Sequence, residues 1–371
     1  GFFVRYRAYG DETPIVSGGQ PVVGWEPVPS RSFHVADVPV ESGYADYFRQ
    51  LYVDGVRAHR AGSQWIRGHS YFDDPATPET EDGIVFDAEM LQASYRNEED
   101  IRLVHIKEFK YDEFVVAGIF DEGGDIAVQA KQPHFAVRVD RGSRYLKPSH
   151  FFRIVNAYEE LDRPGEWYHD RVTDNVYYYP CPDEDMDTVE VMVPALDANH
   201  LVRIQGNNGR KVENLALEGI VFEYGNWIYP NHIGGTQAEA LYGMERDDEG
   251  RLDYSDEIPG NVQLAFTRNI NITGNTFRRL GACGVFIEKS SERTLVQGNV
   301  FYNTTGAAIQ VGRFAHPYDS KGMVTDTVID NNIIRDTGFD YLQATGININ
   351  PSNRTTISNN DVDYTAWAGI H

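Results

Sequence analysis

The chain has 371 residues, 41% of them apolar and 12% aromatic. That is enough to bury a large core and excludes global disorder. Its 33 Lys and Arg against 56 Asp and Glu leave a net charge of −23, which would repel phosphates, so neither nucleic acid nor a membrane is an expected partner. No apolar run reaches the ~20 residues of a membrane-spanning helix, and no signal-peptide pattern opens the chain. Cys181 and Cys283 lie outside any CxxC or Cys/His cluster, so no structural zinc site is expected; whether the two pair is left open.

The first residues, Gly1 to Tyr9, alternate as a strand and carry no initiator Met. The last, Ala366 to His371, stop inside a strand-like pattern. An unpaired strand edge invites aggregation, so the expectation is an internal piece of a longer protein, with residues 1–25 forming an early coil. Residues 26–185 read as an inserted β-rich, sandwich-like domain. Leu51 to Arg60 is a hairpin around Asp54-Gly55, Phe114–Ile119 and Ile126–Ala130 are strands, and Pro164 to Tyr179 is a second hairpin.

Residues 186–371 carry an irregular repeat. Asn275, Asn299, Asn332 and Asn360 recur at intervals of 24, 33 and 28, each after a short apolar strand. An earlier unit around Leu215 has Gly219 in the asparagine's place. A second strand follows each bend and puts Val285, Ile309, Ile347 and Ile370 in one inward column, with Phe286, Gln310, Asn348 and His371 opposite. No segment has the 3.6-residue period of a helical repeat. The fold class is therefore all-β: a right-handed parallel β-helix, one coil per unit, with an inserted β-sandwich-like domain. The repeated asparagine fits a stacked ladder, and its tolerance of left-handed φ suits a bend. The sequons at Asn271, Asn303 and Asn353 read as turn chemistry. Long polar loops at 226–260 and 312–326 interrupt the coils and are expected as walls of a groove.

These segments together resemble a bacterial group of parallel β-helix glycoside hydrolases, of xylosidase, xylanase and fucosidase type, within the pectate-lyase-like fold. The likeness rests on Val4–Ala8 leading to Ser17-Gly18-Gly19, Leu51–Ala58, Pro164–Tyr168 with Tyr177–Pro180, and the coils through Ile370. The resemblance implies a secreted or periplasmic enzyme, acting as a monomer on a plant or algal polysaccharide, without a cofactor or metal.

Glycoside hydrolysis needs two carboxyls, about 5–5.5 Å apart for retention and roughly 6.5–9.5 Å for inversion. Coils stack about 4.8 Å apart, so acids at equivalent places on adjacent coils would meet that spacing. Asp336 and Asp363 are the first choice. Asp340, in the bend between them, is the third candidate. Glu288, Gln310, Asn348 and His371 are expected as a sugar-binding stripe, capped by Trp227 and Gln237 of the long loop. Two other classes compete. A polysaccharide lyase would need a Ca²⁺ cluster of three or more acids on adjacent coils plus a Lys or Arg base, and the coil region offers only Lys289 and Lys321. A non-catalytic carbohydrate-binding solenoid would need no acids at all.

Overall fold

Every coil of the C-terminal repeat contributes strands to three parallel sheets. The first sheet holds Thr267–Thr273, Glu292–Gln297, Val328–Asp330 and Thr356–Ser358. The second holds Thr276–Leu280, Val300–Thr304, Ile333–Thr337 and Asp361–Thr365. The third holds Gly260–Ala265, Cys283–Ile287, Ile309–Val311 and Ile347–Ile349. This computed structural model describes residues 2–39, 48–73, 76, 82–108, 110–140, 146–195, 197–238, 241–243, 245–246, 252–253, 256–313 and 322–371. Period-2 alternation works as the sequence suggests: Val285 pairs with Ile309 and Ile309 with Ile347, all fully buried, and Ile370 bridges to Ile347. Inside the spiral Phe222, Phe277 and Phe301 stack at 5.0 and 4.5 Å. Each such side chain removed from water contributes about 1.5–3 kcal/mol.

The asparagine ladder is continuous. The Oδ1 of Asn299 accepts from the backbone N–H of Asn275 at 2.9 Å and from its Nδ2 at 3.0 Å. Asn332 does the same for Asn299, and Asn360 for Asn332. Each Nδ2 also donates to a carbonyl of the preceding coil. Two details differ from expectation. The left-handed residue is the one before each ladder asparagine, namely Gly274, Gly298, Asn331 and Asn359. Gly219 aligns with Gly274, so Ile220 occupies the ladder position. The bend needs positive φ at one residue, and the next then turns its amide inward to satisfy buried backbone groups.

Val4–Arg7 and Ile15–Ser17 pair in parallel with Leu215–Glu218 and Val221–Glu223, starting a coil in the first two sheets. The chain then leaves the spiral. Gly19–Pro21 pairs antiparallel with Val191–Pro194, so exit and return run side by side. Between them the insertion is divided over a ten-stranded, a five-stranded and a four-stranded sheet, with separate apolar clusters around Phe114 and Phe152, around Trp167 and Val176, and around Phe33 and Tyr168. The sequence suggested one sandwich; the strands instead split because the aromatic hairpin Glu166–Asp170 with Asn175–Tyr178 pairs with His34–Asp37. The ten-stranded sheet also recruits the long loop: Gly235–Ala238 adds to Lys110–Glu122, with Gln237 opposite Tyr111. That loop therefore ties the spiral to the insertion. Residues 314–321, most of the second expected groove wall, lie outside the described residues.

Candidate active site

Besides the long loop, a hairpin of the insertion meets the spiral. Asp54 and Gly55 both have positive φ, as a two-residue turn between twisted strands requires. Gly55 lies against the Arg279 guanidinium, which donates to its carbonyl at 2.9 Å and would collide with a Cβ. Two residues on, Arg57 reaches three successive coils. It donates to the carbonyl of Leu280 at 3.1 Å, to Asn303 Oδ1 and Thr305 Oγ1 at 2.8 Å, and to Asp340 Oδ2 at 3.1 Å. Its planar fork makes it suited to such a bridge.

Behind this contact a cavity of about 380 Å³ opens between the two bodies. Its insertion wall comes from Arg49, Gln50, residues 57–60 and Trp65, from Val104, Tyr111, Arg153 and Val155 of the large sheet, and from Arg163, Pro164 and Glu166. Its spiral wall is Phe339, Asp340 and Leu342. Both carboxylates among the lining residues, Asp340 and Glu166, are well anchored. On Asp340, Oδ2 accepts from Gln50 at 2.9 Å, from Arg57 at 3.1 Å and from Thr305 at 3.3 Å. Among the described residues its Oδ1 has no such partner, and the side chain is 22% exposed. Glu166 is buried, accepts from the backbone N–H groups of Asp162 and Arg163, and pairs with Arg163 at 3.3 Å.

Their ionisation is pushed in opposite directions. Burial works against the Asp340 carboxylate, but Arg57, Arg60, Gln50 and Arg49 outweigh it and hold its pKa below the ordinary value. Burial raises the pKa of Glu166, and Arg163 with the two backbone donors offsets this only in part. Two carboxyls with divergent pKa values in one cavity are the pattern of an acid and a base.

The other sequence-predicted residues are spread over the spiral. Asp336 sits exposed at a left-handed position in the column of Arg279, Asn303 and Tyr364. Asp363 is in register with Arg335, not with Asp336, and forms an ion pair with it at 3.4 Å on the outer face. The two acids are thus one position out of step, because Asp336 stands four residues after its ladder asparagine and Asp363 three after its own. Phe286, Gln310 and Asn348 do align in one column, and His371 Nδ1 lies 3.2 Å from Asn348 Oδ1. The column is covered, however: Phe286, Gln310 and Asn348 are each under 4% exposed. Glu288 accepts from Gln263 at 2.8 Å and pairs with Arg313 at 3.3 Å. Trp227 packs against Tyr242 and Tyr341 at 5.0 and 5.5 Å. Gln237 is buried and accepts from the backbone N–H of Gln343. Trp227 and Gln237 therefore belong to the seam between loop and coil. Of the candidates, Asp340 reaches the cavity. Its partner Glu166 was missed in the sequence, although it stands in the Pro164-Gly165-Glu166 turn.

Both cysteines are free, and burial pushes the Cys283 thiol up to about 12. Among the described residues, one trio of metal-ligating side chains is close enough to share an ion: His69, Asp87 and Asp125 in the insertion, not on the coils.

Residues 31–181 match the family model described as a GH141 insertion domain, and residues 262–371 match that of a right-handed beta helix region. A solved structure described as a glycoside hydrolase is 24% identical, with a TM-score of 0.78 over 94% of this chain. The fold is thus a right-handed parallel β-helix carrying an insertion of the GH141 type. A second solved structure, the complex of XylC with xylose, is 10% identical, with a TM-score of 0.50 over 99% of the chain. The chain covers 64% and 52% of these two proteins. No curated protein matches it.

Proposed function

We propose that the chain carries the active centre of a glycoside hydrolase acting on O-glycosidic bonds of a plant or algal polysaccharide, with Glu166 as general acid and Asp340 as the second carboxylate. The observation that carries this reading is the pair itself: two carboxyls from two bodies face one sugar-sized cavity, one favoured as the acid and one as the anion. The GH141-type insertion supports it, because that insertion supplies Glu166 and most of the cavity wall.

Glu166 protonates the departing glycosidic oxygen. Asp340, held ionised through Oδ2, presents Oδ1 either to the anomeric carbon or to a water. Secretion, action as a monomer and independence of a metal belong to the same proposal. Xylosides are the first substrates to try, since xylose is bound in one of the similar structures.

The test uses the full chain with Asp340→Asn and Glu166→Gln. Each is expected to lower kcat by roughly 10²–10⁴ on natural linkages. An activated aryl glycoside, whose leaving group needs no proton, restores most of the Glu166→Gln loss and none of the Asp340→Asn loss. Full activity of either variant on a natural linkage sinks the assignment. Proton NMR of the first-formed anomer then reads the stereochemical course.

A further inference from the structure

The cavity has a charge that the reaction alone does not explain. In a protein of net charge −23, five arginines line it: Arg49, Arg57, Arg60, Arg153 and Arg163. Three are matched by carboxylates. Arg49 grips Glu113 with both ends of its fork, at 3.0 and 2.7 Å, Arg57 meets Asp340, and Arg163 meets Glu166 and Asp162. Among the described residues the guanidiniums of Arg60 and Arg153 have neither a hydrogen bond nor an ion pair, and Arg60 Nη1 and Arg153 Nε are buried without a hydrogen-bond partner. Arg153 lies over the Trp65 ring at 5.8 Å, an apolar neighbour on the same wall. Burial and the nearby charge of Arg60 both lower its basicity. Asp340, Glu113 and Glu166 act on these two guanidiniums only at a distance, so two neighbouring cations without a direct anionic contact leave room for an anion that joins them.

We infer that Arg60 and Arg153 form a subsite for an oxyanion carried by the glycan, a uronate carboxylate or a sulfate ester on the sugar held in the cavity. The substrate part of this inference rests on the hydrolase reading; the binding part does not. Planar forks suit two oxygens of a carboxylate or sulfate. The subsite also couples to the chemistry. Arg153 faces Glu166 electrostatically, and without an anion its charge favours the ionised glutamate. An anion seated between the arginines offsets that charge and keeps Glu166 protonated, so the acid is armed by the charged substrate.

Titration calorimetry on the wild-type chain tests the subsite with free sugars that hold no glycosidic bond. D-glucuronate, D-galacturonate and D-glucose 6-sulfate are compared with glucose and galactose. At least one anionic sugar is expected to bind about tenfold or more tightly than its neutral parent, with the difference shrinking as salt rises. Preference for the uronates assigns a carboxylate, preference for the sulfate a sulfate ester. The Arg60→Gln/Arg153→Gln double variant should erase the preference; Arg60→Lys/Arg153→Lys, which keeps the charge without the fork, should retain part of it, and circular dichroism checks that both variants fold. No preference in the wild type, or a preference untouched by the double glutamine variant, overturns the inference. Charge-selective binding by a chain that hydrolyses no glycan would leave the subsite standing and sink the hydrolase reading. Turnover of neutral glycans without anion preference would do the reverse.

Discussion

The spiral and the insertion solve burial in opposite ways. The spiral stacks apolar columns and one asparagine ladder inside and keeps its ion pairs outside, as in Arg335–Asp363 and Arg354–Asp326. The insertion buries its charges. Arg49, Arg102 and Arg138 are at most 1% exposed, and Asp112 and Glu113 are fully buried against them. Buried ion pairs are weak sources of stability but strong sources of geometry. The regular body thus serves as a rigid floor, and the charged body fixes cationic side chains over it. Asp340 belongs to the floor and Glu166 to the roof.

The contrast is broken most severely by Arg49→Ala. It leaves Glu113 buried with Arg102 at 3.9 Å as a poorer partner, and about 3–5 kcal/mol of stability should go. Urea unfolding measures the loss; hydrogen exchange should place it in Arg102–Lys107 and Lys110–Glu122 and not in the coils. Acid should act on the same region. Burial opposes the Glu113 charge, but Arg49 and Arg60 prevail and lower its pKa from 4.5 to about 2. A lowered carboxylate pKa means that this stabilisation is complete above pH 4.5 and is lost as pH falls toward 2. Protection of the insertion strands should therefore fade across that window while that of the coil core persists.

Within the spiral, Asn299→Ala should come next. It strips a buried acceptor from the backbone and side chain of Asn275 and a donor from Ile272, at a cost of roughly 2–4 kcal/mol. Asn360→Ala, at a half-exposed end of the ladder, should cost clearly less. Equal losses would mean that the ladder is held by its strands and not the reverse.

The reach of the sequence follows the same division. The ladder, the inward column and the Phe286 column were legible because each depends on neighbours one coil away, and repetition prints such relations in the chain. Gly219 was misplaced by one residue because glycine and asparagine both serve the bend. The long loop was misread for another reason: its strand Gly235–Ala238 pairs with residues more than a hundred positions earlier, and no local pattern records that. Glu166 stood in a quoted motif, yet its meaning depends on Asp340, which a different body supplies.

The join between the two bodies can be probed through Arg57. Arg57→Gln removes the foremost of the charges that lower the Asp340 pKa while keeping a donor for Asn303. The Asp340 pKa should rise toward its ordinary value, and since Asp340 must be ionised, the acidic limb of kcat/KM should move to higher pH. An unmoved acidic limb would separate Asp340 from the chemistry.

The smallest effect is expected from Asp363→Asn, and it discriminates most finely between floor and junction. Arg335 also pairs with Asp361 at 2.8 Å, so the outer face keeps an ion pair and stability should change by no more than about 0.5 kcal/mol. Asp363 does not line the cavity, and turnover should stay within about twofold of wild type, a factor equivalent to a surface substitution of that size. A collapse of kcat at unchanged Tm would move the reacting centre from the junction to the open second sheet. Asp336, in the next column, would then be the first partner to examine, and the arginines of the cavity would have to be explained by binding alone.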